Sequence, residues 1–189
     1  MGIATNSERP LMRKITAGAN TRQALVSLIS MPFKDLRHPP MQLGILERCL
    51  TRMGIAARSH SLELVFMEHL YRRTADAAEC QRISVADYGH VACQDFGVNL
   101  GDWIFKVSPY AEASPEDEEY LDYARSRIPE EAIMTAIKMK RHVPEFLAMA
   151  AEEVLAGKPR IVGFSTVFQQ NVASLVLAKI LKAKDPSIT

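Results

Sequence analysis

Two short stretches carry the residues best suited to holding a ligand. The first, Ser30-Met31-Pro32-Phe33, closes the apolar run ALVSLISM (24–31) and leads on to Gln42 and Gly44. The second, Ser165, Thr166, Phe168, Gln169, Gln170 and Asn171, follows the apolar run RIVGFS. Together they offer hydroxyls, carboxamides, backbone N–H groups and aromatic edges, with no carboxylate pair and no Ser-His-Asp set. That chemistry suits gripping a large, amide-rich ligand better than moving protons. The plainer expectation is that Asn171 caps a helix and the two glutamines meet water.

Other chemistries find little support. There is no G-x-G-x-x-G stretch and no Walker lysine, which argues against a nucleotide enzyme. Five histidines (His38, His60, His69, His90, His142) are scattered without a metal-binding spacing. Cys49, Cys80 and Cys93 are odd in number and widely spaced, which fits neither a disulfide framework nor zinc or iron–sulfur ligation, so reduced thiols are expected. With 23 basic and 22 acidic residues, the net charge of +1 gives no electrostatic reason to expect nucleic acid or an anionic membrane as partner. No apolar run reaches the length of roughly 18 residues that a membrane span needs, and the N-terminus lacks the apolar core of a signal peptide. A cytoplasmic location is the resulting expectation.

The elements that position the two stretches follow from periodicity. Residues 1–22 show no sustained period and read as a flexible leader, leaving 23–189 as the folded domain. ALVSLISM is a nearly continuous apolar run ended by Pro32, the pattern of a strand buried on both faces in a parallel sheet. From Met41, apolar positions at Leu43, Leu46, Leu50 and Met53 mark a helix that ends at Gly54, where a C-cap wants positive φ. Ile55 to Ser61 reads as a weak edge strand. A helical insertion spans about 63–157, with proline-led starts at Pro115, Pro129 and Pro144. RIVGFS is another short strand, and the helix from Asn171 to Lys182 is apolar round most of its circumference. Alternating strands and helices predict an α/β fold, a doubly wound parallel sheet of flavodoxin or Rossmann type. With so few strands before the chain stops at DPSIT, the expectation is a domain truncated before its last strands. In such sheets ligands bind at the carboxyl ends of the strands, which places the loops after Met31 and Ser165 at one site.

Read together, LISMPF, PPMQLGILERCL, NLGDWIFKVSPY and VGFSTVFQQNVASLVLAKILK resemble the N-terminal half of the radical S-adenosylmethionine (SAM) C-methyltransferases that mature ribosomally made peptides. The resemblance spans about 24–182, in the same order and at similar intervals; FQQNVASLVLAK is its most specific piece, and GDWIF carries Asp102 where the family has glutamate. It implies a cobalamin-binding domain ahead of a radical catalytic barrel, with the methyl group carried on cobalamin and a second SAM on a [4Fe–4S] cluster generating the radical. By the same analogy the cofactor-binding residues are Ser30, Met31, Pro32, Phe33, Gln42, Gly44, Ser165, Thr166, Phe168, Gln169, Gln170 and Asn171, with no histidine below the cobalt. Asp35-Leu36-Arg37-His38-Pro39-Pro40 agrees, because it lacks the spacing and glycine of the Asp-x-His-x-x-Gly pattern that supplies such a histidine. The implied partners are cobalamin, the radical SAM domain and a precursor peptide. The cluster-binding Cys-x-x-x-Cys-x-x-Cys loop is absent from this sequence, so this chain alone is not expected to catalyse methylation. The alternative expectation is a cobalamin-free α/β module that recognises peptides or other proteins.

Overall fold

The computed structural model describes residues 25–78, 82–93 and 97–189; the leader read over 1–22 and Cys80 lie outside them. Three strands form one parallel sheet in the order β2-β1-β3. β1 (Val26–Ser30) is central and buried along its whole length, Ser27 and Ser30 included, as expected for a central parallel strand. β2 (Ala57–Ser61, ARSHS) takes an edge, where its charged and polar residues can alternate toward water. β3 (Ile161–Ser165) takes the other side of β1. Register aligns Ser30 with Ser61 on one side and with Ser165 on the other, so a row of three serines marks the carboxyl end of the sheet.

α1 (Met41–Arg52) links β1 to β2 and ends as the sequence requires. Gly54 adopts φ +77° and donates to Thr51 O at 3.0 Å while Ile55 donates to Leu50 O at 2.9 Å, a Schellman closure of the last turn. Between β2 and β3 the described residues form α2 (Leu62–Thr74), α3 (Val85–Ala92), α4 (Leu100–Ile104), α5 (Glu116–Arg125), α6 (Glu130–Lys140) and α7 (Val143–Ala156), and α8 (Asn171–Lys184) follows β3. Ser84 and Asp87 form a reciprocal capping box at the start of α3. Ser114 does not cap α5 through its side chain, because that hydroxyl receives a hydrogen bond from Lys106 Nζ at 3.2 Å.

The two faces of β1 are buried unequally. Val26 and Leu28 pack with Leu43 of α1 in a small cluster. Ile29 points the other way, into a continuous core with Leu62, Phe66, Ile133, Phe146 and Leu177 drawn from α2, α6, α7 and α8. At its centre Phe66 packs against Phe146 at 4.7 Å and Phe105 at 5.4 Å between ring centroids. At the outer edge of β3, Val162 N donates to Thr189 O at 2.8 Å and Thr189 N donates to Arg160 O at 2.9 Å. Among the described residues no helix is long and apolar enough to cross a membrane.

Candidate functional site

The carboxyl ends of β1 and β3 lie side by side at the point where the chain's connections diverge, β1 leading to β2 on one side and β3 lying on the other; in open sheets this switch point is where a ligand crevice falls. Gln42, in the first turn of α1, spans it by donating from Nε2 to Ser165 Oγ at 3.0 Å. Around this link the surface is open: Met41, Ile45, Val167 and Phe168 are exposed apolar residues, Phe168 at 66%. Thr166 and Asn171 are exposed as well, and Gly44 faces open space, with nothing near where a Cβ would stand. The rim therefore combines an apolar shelf with hydroxyl and amide groups.

The rest of the predicted set lies beneath that rim. Met31 and Pro32 are buried, and Phe33, only 3% exposed, stacks on Tyr88 at 5.1 Å and meets Phe66 edge-on at 5.9 Å. Gln169 and Gln170 are each 1% exposed, so they do not meet water. The reason is that each carboxamide serves backbone groups the fold would otherwise strand. Gln169 accepts from Gly101 N at 2.8 Å through Oε1 and donates to Ala92 O at 3.1 Å through Nε2, so it joins the start of α4 to the end of α3. Gln170 donates to Met31 O and accepts from Val167 N at 3.2 Å. Nor does Asn171 cap α8 by its side chain; Asp102 does so from α4, its Oδ1 accepting from Val172 N at 3.0 Å. Burial raises the Asp102 pKa, with the Val172 and Asn171 amides opposing it.

Gly101 is the hinge of this arrangement. A Cβ there would stand 2.6 Å from the Phe33 ring and 3.0 Å from Gln169 O, so only glycine admits the approach. Segments far apart in sequence, SMPF, GDW and FQQN, thus converge in an inner latch. Sequence reasoning singled out all three but missed that their polar groups satisfy one another. The signal that could have found it was the glycine next to Asp102 inside an otherwise apolar helix.

Sequence reasoning also missed Glu63, the first residue of the helical insertion read over about 63–157. Glu63 is 2% exposed, two residues beyond the serine row, with Oε2 lacking a hydrogen-bond partner among the described residues. Burial raises its pKa; Ser30, Lys34 and Ser61 lie close enough to oppose that rise. The hydroxyl of Tyr88, also buried and unpartnered, is held well above the ordinary tyrosine range by burial and then by the Glu63 charge. His38 stands apart, exposed and bonded through Nδ1 to Asp35 Oδ2 at 2.8 Å. Hydrogen bonds from Arg37, then His38, hold the Asp35 carboxyl well below its usual range.

Fold and site define the chain as an α/β protein with an open parallel sheet and a crevice at its carboxyl edge. Comparison with known protein families, with curated proteins and with solved structures found no match.

Proposed function

We propose that this chain is a cobalamin-binding domain of doubly wound, Rossmann-like type, working with a radical SAM domain that C-methylates a ribosomally made precursor peptide. The observation that carries the reading is the crevice at the carboxyl ends of β1 and β3, bridged by Gln42 and Ser165 and bordered by the exposed Phe168. The mixed character of its rim suits a corrin, whose flat apolar ring carries carboxamides round its edge. Ser165, Thr166, Gln42 and Asn171 are the groups available to those carboxamides; Met31, Phe33, Gln169 and Gln170 support the rim from behind. The bound cofactor supplies the methyl group, and the chain's residues position it. SAM and a [4Fe–4S] cluster belong to the radical domain in this reading.

A second reading has its own observation. Because Gln169 and Gln170 already have protein partners, the amide-rich stretch folds completely without a ligand, as it would in a cobalamin-free module for recognising peptides or proteins. Anaerobic reconstitution with hydroxocobalamin followed by gel filtration separates the two. A protein peak that carries the corrin absorbance is expected; a colourless peak would leave only the second reading.

A further inference from the structure

A second cleft, of about 540 Å³, opens in the helical lobe between α4 and α5, beside the first turn of α8. Its walls are built differently from the crevice. Trp103 and Tyr120 stack in parallel, 5.9 Å apart and 13° from coplanar. Glu116, Tyr120 and Tyr123 recur at i, i+4 and i+7 along α5, so they share one face of that helix, and all three line the cleft. Lys106 is bonded to Asp117 at 2.9 Å and to Ser114, which makes that wall neutral. Asp102 is engaged with α8. Glu116 is an exposed carboxylate with no ion pair within 4 Å among the described residues; a hydrogen bond with Ser114 and the more distant Lys106 charge keep it ionised by lowering its pKa.

The rings of this cleft already hold cations. Lys140 Nζ lies 4.2 Å from the Trp103 ring, Lys179 Nζ 5.4 Å from Tyr110, and the Arg127 guanidinium 5.4 Å from Tyr123. Tyr120 is the lining ring with no such cation among the described residues: Trp103 backs one of its faces, and the other is not occupied by an internal charge. A ring face is electron-rich and attracts a cation whose stem can lie on apolar surface, here Val172 and Tyr123. With Asp117 paired to Lys106 and Asp102 capping α8, Glu116 is the lining carboxylate that remains to face such a cation.

We propose that this cleft binds the cationic side chain of a peptide, a guanidinium or primary ammonium laid on Tyr120 with Glu116 as its counter-charge. The inference is independent of the corrin reading and holds for either function above. Trp103 is the single tryptophan of the sequence, so fluorescence excited at the red edge, beyond tyrosine absorption, reports on this wall of the cleft. The full chain is titrated with Nα-acetyl-arginine methylamide and, separately, with the neutral Nα-acetyl-norleucine methylamide. A saturable change with the arginine amide only is expected, weakened by added salt and by about 3- to 10-fold in Glu116→Gln and in Tyr123→Ala, both of which alter exposed side chains. Tyr120→Ala removes support from Trp103, so Tyr120→Phe serves in its place and is expected to keep binding because the ring face remains. No saturable change with the arginine amide, an equal response to norleucine, or undiminished affinity in Glu116→Gln would overturn the proposal.

Discussion

Two phenylalanines close the loops that flank the crevice, and they have opposite fates. Phe33, after β1, is inside the aromatic core against Tyr88, Phe66 and Phe105, whereas Phe168, after β3, stands in solvent. The same division separates Gln169 and Gln170, which bond to buried backbone, from Thr166 and Gln42 at the surface. A motif that reads as one ligand-facing patch is therefore two layers: an inner latch that fixes the loops and an outer, solvent-exposed rim. Along the second loop the division falls between neighbours, exposed Phe168 and buried Gln169, at a residue with a left-handed φ of 66°.

Substitutions across the two layers should separate them, and the largest effect belongs to the latch. Phe33→Ala removes a core ring and should cost about 3–5 kcal/mol in urea unfolding. Gly101→Ala forces a Cβ against the Phe33 ring and Gln169 backbone, an overpacking expected to cost about 1–3 kcal/mol by the same measurement. Gln170→Ala strands the buried Met31 carbonyl, for an expected loss of about 1–2 kcal/mol. If Gln170→Ala left stability untouched while abolishing ligand binding, the division into layers would fail.

A smaller, pH-dependent effect comes from Glu63. Because burial raises its folded pKa above the ordinary 4.5, the folded chain holds the proton more tightly than the unfolded one. Stability should then fall as pH rises from the ordinary glutamate value through the raised one, and remain lowered above it. Glu63→Gln should flatten that part of the profile and gain relative to the parent on its alkaline side; a parallel pair of thermal-melting profiles would refute the assignment. Smallest of all in stability is Phe168→Ala, expected within about 0.5 kcal/mol of the parent because the side chain is exposed.

The sequence was legible where one local rule governed. A nearly unbroken apolar run became the central strand, the polar ARSHS became an edge, Gly54 closed α1, and Pro129 and Pro144 opened their helices. It was illegible where a residue's role depends on distant partners. Asn171 has the right type for a cap, yet Asp102, 70 positions away, caps α8; a glutamine's burial likewise cannot be read from its neighbours when its partners are Ala92 and Gly101. The cleft on α5 was hidden for the same reason: the i, i+4, i+7 stripe was present, but the tryptophan that backs it comes from another helix.

Equilibrium titration of hydroxocobalamin into the parent chain and Phe168→Ala, followed by corrin absorbance under anaerobic conditions, tests the central division most directly. The account predicts saturable binding by the parent and an affinity lowered about tenfold or more in the variant, with unchanged unfolding midpoints, since each tenfold is about 1.4 kcal/mol of lost rim contact. No binding by the parent, or equal binding by both, would contradict it.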